Sequence, residues 1–386
     1  MHISRRRFCA SAAAVTLLPL GAARAASAPI VNKIALTESR VWVAVKIGAA
    51  GPFLFIIDTG AHLSLIEETV ARQLRLPVRS LTGMIGSGGK DVLPLYLAHD
   101  VIFGGGLRQN AVAFAGTDLP LGRDAAGSLA AGVLTWLDSD LDFEAAEWRV
   151  YPGGKRDRTG FVRAPSEIEH VGTNERGSAY IFAHAALDGH QERFVIDTGM
   201  PGAVSLRPAA TRRSGLWDDE RPYAPFRPHG IGGFGKLGRR VRAKALQIAD
   251  ILYPDPIVAI SEPAQGSTPA LGEGVIGLGV LRNLALSTDV GHRCLWVKAN
   301  ALPRASEHYN YSGLWLERSG DSAEVTDVGR KSPGEEAGIR RGDTVLGMGF
   351  DRAVQLLNGP AGSEVPLDMA RGAGRFHADV KLRAFL

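Results

Sequence analysis

Apolar residues run unbroken from Phe53 to Ile57 and stop on an ionisable one, Asp58, after which Thr59 and Gly60 turn the chain. The pattern recurs in "ERFVIDTGMPGAVSL" (192–206), where Phe194, Val195 and Ile196 lead into Asp197, Thr198 and Gly199. Laid over one another, "WVAVKIGAAGPFLFIIDTG" (42–60) and "IFAHAALDGHQERFVIDTG" (181–199) match without a gap. Each predicts a strand, a turn and a second strand, with the turn on Gly51-Pro52 in the first copy and on Asp188-Gly189 in the second. A carboxylate at the end of an apolar strand costs free energy unless it is paired or hydrogen-bonded. The question is therefore whether Asp58 and Asp197 meet.

The likeness continues downstream. After each aspartate come an apolar stretch and a helix-like tail, "IEETVARQL" (66–74) and "RPAATRRSGL" (207–216). A Gly-rich tip follows, "MIGSGGK" (84–90) or "HGIGGFGK" (229–236), then strands, then "GVL" (132–134) or "GVIGLGVL" (274–281). Each copy closes on a Trp-containing strand, "LDFEAAEWRVY" (141–151) or "TDVGHRCLWV" (288–297). A repeat of this length is too long for a solenoid unit and marks duplicated lobes.

The chain has 386 residues, 45% of them hydrophobic, enough for two or three domains with their own cores. Residues 1–25 combine a basic start, a short apolar stretch and Ala23-Arg24-Ala25 as an A-x-A site, which predicts a cleaved export signal. Ser4-Arg5-Arg6-Arg7-Phe8 is of the twin-arginine type. The expected location is the bacterial periplasm, with an uncleaved N-terminal anchor as the alternative. The formal charge of +4 comes from the four arginines of this segment, without which forty basic residues face forty acidic ones. A nucleic-acid partner loses its support. Cys294 is the one cysteine beyond the signal, so neither an intramolecular disulfide nor a Cys-based metal site is expected.

Two Asp-Thr-Gly turns at equivalent places in a repeat resemble the pepsin and retropepsin-like aspartic proteases over about residues 30–300. Further points of likeness are the hydrophobic-hydrophobic-Gly elements Val275-Ile276-Gly277 and Val133-Leu134, the latter with Thr135 in the glycine's place. The resemblance implies an all-β, bilobal acid-protease fold of two duplicated barrel-like lobes, 29–155 and 156–302. It makes Asp58 and Asp197 the catalytic pair, supported by Gly60 and Gly199, which admit backbone N–H groups, and by Thr59 and Thr198, whose hydroxyls bond across to the opposite lobe. It also makes Gly86, Ser87, Gly88 and Gly89 a flap over the substrate, although residues 80–92 lack the tyrosine of pepsin-type flaps. Two carboxylates a hydrogen bond apart share a proton, and the ionised one activates water against a peptide carbonyl. That chemistry needs no cofactor and no metal, and a single-chain pair is expected to act as a monomer. His62 is read as a lobe-interface or groove-wall residue, since the pair requires no imidazole.

"GIGGFGKL" (230–237) satisfies G-x-G-x-x-G, but "RPYAPFRP" precedes it and Leu237 stands where a phosphate loop needs Ser or Thr, so nucleotide binding is set aside. The basic run "GRRVRAK" after it is read as a solvated strand. From about residue 308 the chain changes character. Ser332-Pro333-Gly334-Glu335 is a capping box with proline at the first helical position, Gly338 is a stop, and a strand follows Gly342-Asp343. "SPGEEAGIRRGD" resembles a bacterial-type PDZ domain, which implies a small β domain with short helices over 308–386 and a carboxylate-binding loop at Gly313, Leu314 and Trp315. Its 351–365 segment leaves room for about two helical turns, so a protein partner would bind weakly, and the domain is expected to recruit or regulate without shaping the active site. These features together describe an exported aspartic endopeptidase acting on a protein or peptide substrate. The rival readings are a non-catalytic peptide-binding scaffold that keeps the cleft, and an adaptor whose last domain recruits partners.

Overall fold

A computed structural model describes residues 28–386 except 38, 87, 88, 123, 156, 172–176, 265–270 and 308. The export signal expected at 1–25 lies outside the described residues. The fold is mostly β. In Val41–Ile47 the alternate residues Val41, Val43, Val45 and Ile47 are buried, the period of two expected of a strand with one face in the core. This strand pairs antiparallel with Ala50–Ile57, and Tyr180–Leu187 pairs in the same way with His190–Asp197. The first hairpin turns on Gly48 and Ala49, not on Gly51-Pro52, which lies inside the second strand; a register shift between Val45 and Ile47 accommodates the difference.

The two halves of the repeat have the same strand connections. Ala50–Ile57 runs parallel to Gly127–Leu129, which lies antiparallel to Leu65–Glu67, itself parallel to Leu107–Thr117. In the second half His190–Asp197 runs parallel to Gly274–Gly277, which lies antiparallel to Val204–Leu206, itself parallel to Ile257–Ile260. This equivalence corrects one expected match. The counterpart of Val275-Ile276-Gly277 is Ser128-Leu129-Ala130, because Ile57 stands opposite Leu129 as Ile196 stands opposite Ile276. Val133, Leu134 and Thr135 form a short helix, Gly132–Thr135, equivalent to Leu278–Leu281. The helix-like tails become Glu68–Gln73 and Pro208–Ser214.

The halves share one sheet. Leu284–Asp289 pairs with Ser139–Asp142, placing Leu286 opposite Leu141, and Thr288 Oγ1 donates to Leu134 O at 2.6 Å. One continuous apolar cluster results, with Phe55, Leu134, Leu141, Trp148, Phe194, Leu281 and Leu286 buried in it. The run 239–242 is a strand, but not a solvated one: Arg239 lies over the rings of Trp217 and Tyr223, and Arg240 over Phe226.

The C-terminal strands Leu314–Ser319, Ser322–Val328, Thr344–Leu346, Glu364–Arg371 and Gly374–Lys381 form an antiparallel sheet in that order around a separate apolar cluster that includes Leu314, Val325, Val345, Leu367 and Val380. Ser332 Oγ accepts from Glu335 N–H, the N-cap half of the expected capping box on the helix Pro333–Glu336, while Glu335 accepts from Lys331 N–H, one residue before the N-cap, and Ser332 N–H donates to Gly329 O. The segment after it supplies a helix of two turns, Phe350–Leu357. Among the described residues no helix is long and apolar enough to cross a membrane.

Trp148 is fully enclosed and its Nε1 donates to Val133 O at 2.9 Å. Trp148→Ala removes that ring from the shared cluster and should cost about 3–5 kcal/mol, read as a lowered denaturant midpoint; a loss below about 1 kcal/mol would show that this cluster does not hold the halves together.

Candidate active site

Asp58 and Asp197 each end a strand that is flanked on both sides by other strands, so their backbones are fixed before their side chains interact. Asp58 N–H donates to Leu129 O at 2.8 Å, and Asp197 stands in register with Gly277. The turns that follow interlock. Thr59 Oγ1 donates to Ile196 O at 2.7 Å, and Thr198 Oγ1 donates to Ile57 O at 2.6 Å. In return Thr198 N–H donates to Thr59 Oγ1 at 3.0 Å and Thr59 N–H to Thr198 Oγ1 at 3.2 Å. Both threonines are completely buried, and each hydroxyl is used as donor and acceptor.

This interlock brings the two carboxyl groups into hydrogen-bonding contact. Space is tight enough to require glycine: a Cβ at Gly60 would fall within the Asp197 carboxylate, and one at Gly199 would strike Asp58. Asp197 Oδ1 accepts from Gly199 N–H at 2.7 Å and from Met200 N–H at 3.1 Å. Burial, the neighbouring Asp197 charge and the shared hydrogen bond hold the Asp58 carboxyl well above the usual carboxylate range. Burial likewise raises Asp197, against the pull of the Gly199 N–H. Two carboxyl groups in contact and raised in this way titrate as a unit.

Three further side chains surround the pair. Arg40 Nη1 donates to Ser39 O at 2.8 Å and to Gly199 O at 3.4 Å, tying the start of Val41–Ile47 to the second Asp-Thr-Gly turn. Burial pulls the Arg40 guanidinium below its usual value while the charges of Asp58 and Asp197 pull it back up. On the other side His62 Nδ1 and Tyr180 Oη lie 3.3 Å apart, and His62 O accepts from Ser178 N–H at 2.7 Å. Burial, then the charges of Asp58 and Asp197, push the Tyr180 hydroxyl up to about 12. Burial lowers His62, which bridges the two halves as a wall residue. Arg40 and Tyr180 were missed in the sequence. Their signal is weak: in the gap-free overlay Arg40 falls on Ala179 and Val41 on Tyr180, so each polar residue occurs in one copy alone.

The strands Val78–Gly86 and Gly89–Phe103, where a flap is expected, pair up to Gly86 opposite Gly89; Ser87 and Gly88 lie outside the described residues. The second Gly-rich tip is also a hairpin, His229–Gly230 with Gly233–Phe234, and it meets the first. A Cβ on Gly86 would lie 2.6 Å from Ile231 Cβ, and one on Gly232 would strike Gly89 N. Ile231 packs against a cluster of Leu65, Met84, Leu93 and Ala115, so the second tip reaches the strand Leu65–Glu67 that follows the first Asp-Thr-Gly turn.

The remaining candidates lie in the C-terminal sheet unit. Asn310 Oδ1 accepts from Ser312 N–H at 2.9 Å and Gly313 N–H at 3.2 Å, and Ser312 Oγ accepts from Leu314 N–H at 3.2 Å. The donors of the expected carboxylate loop are thus engaged within the chain. Leu314 is buried, and Trp315 Nε1 is buried without a hydrogen-bond partner among the described residues. The described residues contain no cluster of histidine, cysteine or carboxylate groups suited to a metal ion.

Residues 43–135 match the family model described as aspartyl protease, which covers the first Asp-Thr-Gly turn and the first Gly-rich hairpin and gives this part of the chain an aspartic protease-like fold. Among solved structures the chain is similar to the crystal structure of the aspartic proteinase from Irpex lacteus, at 11% identity over 71% of this chain and 98% of that one, with a TM-score of 0.43. No curated protein matches the chain.

Both carboxyl groups bind a proton more tightly in the folded chain than in the unfolded one, so their contribution to stability declines as pH rises above about 4 through the raised folded values. Asp58→Asn keeps the shape and removes the repulsion. The variant should be more stable than the parent at pH 7, by about 1 kcal/mol or more, with the advantage shrinking toward pH 4. Thermal unfolding across this range tests it; equal stability at pH 7 would show that the pair is not strained.

Proposed function

We propose that the chain is an exported, two-lobed aspartic endopeptidase that hydrolyses peptide bonds in a protein or peptide substrate, with a C-terminal PDZ-like domain. The observation that carries this reading is the half-buried contact between Asp58 and Asp197 at equivalent ends of an internal repeat, with both side chains pushed up in pKa. A paired, desolvated carboxyl dyad has a task if water sits between its members and a carbonyl. The ionised member takes a proton from that water, which attacks the carbonyl carbon; the protonated member donates a hydrogen bond to the developing oxyanion. The N–H groups of Gly60, Gly199 and Met200 stabilise the negative charge that moves between the carboxyls. No covalent intermediate arises in this scheme.

The hairpin tips at 86–89 and 229–234 are proposed as covers that exclude water from an extended substrate. With two such tips the absence of a flap tyrosine is less consequential, since closure rests on two glycine-rich hairpins meeting. The PDZ-like domain is proposed to bind a partner weakly, because a terminal carboxylate has to displace Asn310 from the loop donors it now occupies. A non-catalytic scaffold has no use for two glycines kept clear for carboxylates.

Asp58→Asn and Asp197→Asn should each reduce cleavage of a peptide library to background while the fold persists. Undiminished turnover by either variant would refute the dyad. Activity per chain should stay constant on dilution, since both aspartates come from one chain. Incubation of the protein without residues 1–25 with a whole exported proteome, followed by mapping of new termini, identifies the substrate.

Arg40 favours the ionised dyad, so its removal raises the proton affinity of both steps. In Arg40→Gln the acid and alkaline limbs of the kcat profile should both move to higher pH, while the parent retains more activity at the acidic end. A profile that stays in place would show that Arg40 acts only as a tie to Gly199.

A further inference from the structure

The second hairpin has a base as well as a tip, and the base is built from two parts of the chain. Arg227 directly precedes it. Its Nε donates to Gly235 O at 2.8 Å on the returning leg, while Gly235 N–H donates to Pro228 O at 2.9 Å, so the two legs are cross-linked below the tip. The same guanidinium reaches out of the hairpin and donates from Nη1 to Glu317 at 3.0 Å, on the first strand of the C-terminal sheet. Arginine's planar fork makes this double duty feasible, since its donors point in fixed and different directions.

Arg227 is not the only tie. Tyr223 Oη donates to Val328 O at 2.9 Å and lies 3.1 Å from Asp327 Oδ1; Tyr223 N–H donates to Arg330 O at 3.3 Å. Gly329 sits so close to Tyr223 O that a Cβ there would strike it. Arg330 Nη2 pairs with Glu220 at 2.8 Å. The segment 220–227 is thus fastened at several points to 317–330, and the hairpin is its immediate continuation.

We propose that the C-terminal sheet unit positions the second hairpin over the dyad, with Arg227 as the positioning residue that joins them. The proposal rests on the endopeptidase reading for its effect on catalysis and on the contacts alone for the coupling. It replaces the expectation that this unit leaves the active site unshaped. The Arg227–Glu317 pair is partly exposed, so by itself it is a weak tie; its effect comes from acting at the base of a hairpin whose tip is held separately, against Gly86 and Gly89. Any ligand that displaces the strand Leu314–Ser319 would also displace Glu317, and with it the base of the hairpin.

The test uses the full chain. Amide hydrogen exchange is measured across 229–235, together with kcat and KM on a short unstructured peptide, for the parent, Arg227→Ala, Arg227→Lys, Glu317→Gln and Gly329→Ala. Arg227→Ala should speed exchange across 229–235 and raise KM by about ten-fold, with kcat within about two-fold. Glu317→Gln, which meets the hairpin only through Arg227, should produce the same changes at about two- to five-fold. Arg227→Lys should recover part of the loss, and Gly329→Ala, which pushes the units apart, should match Arg227→Ala. Exchange across 229–235 that stays at the parent rate in both Glu317→Gln and Gly329→Ala, with the sheet unit folded, would overturn the proposal. If the parent cleaves nothing, the endopeptidase reading fails, and the exchange measurements still decide whether the units are coupled.

Discussion

Everything at the site depends on the two buried threonines. Each Thr hydroxyl accepts an N–H from the opposite turn and donates to a carbonyl one strand away, so four polar groups that burial would otherwise leave unsatisfied are satisfied reciprocally. Neither half can make this arrangement alone. It fixes the distance between the two turns, and that distance places two carboxyl groups in contact. The cost of that contact is borne by a scaffold in which every strand beside the aspartates is itself paired on both edges.

The glycines next to the threonines are a second consequence. Once the turns are interlocked, the carboxylate of each half occupies the space where the other half would carry a Cβ. The Asp-Thr-Gly triplet is therefore a single physical unit: an acid, a hydroxyl that holds the partner turn, and an empty side of the backbone that admits the partner acid.

Much of this was legible in the chain. Two copies of one apolar-to-acid pattern, a gap-free overlay and equivalent downstream signals lead to the strand pairs, the helix-like tails and the meeting of Asp58 with Asp197. Other features were not, for identifiable reasons. Gly51-Pro52 has the composition of a turn, yet the pairings of Val45 with Phe53 and of Ile47 with Ala50 carry the strand through it. Ser128-Leu129-Ala130 lacks the glycine of its counterpart, so only the parallel pairing with Phe55–Ile57 reveals it. The arginines of 239–242 read as solvated because cation–π stacking on Trp217, Tyr223 and Phe226 leaves no periodicity in sequence. "GIGGFGKL" was separated from nucleotide loops by its context, but the tip it meets is more than a hundred residues away.

The duplication is not perfect, and the imperfection has a direction. Arg40 stands at one side of the dyad, bonded to Gly199 O; at the equivalent place in the other half is Ala179, and there Tyr180 and His62 face each other instead. A site with exact twofold symmetry presents the same surroundings to a polypeptide and to that polypeptide reversed, so it has no means of telling amino-terminal from carboxy-terminal. On the endopeptidase reading, a cationic wall on one side and a phenol–imidazole wall on the other remove that ambiguity. A single chain carrying both halves can keep the symmetric carboxyl pair while letting each wall diverge, and on the endopeptidase reading the threading sense of a bound chain becomes a property of Arg40, Tyr180 and His62.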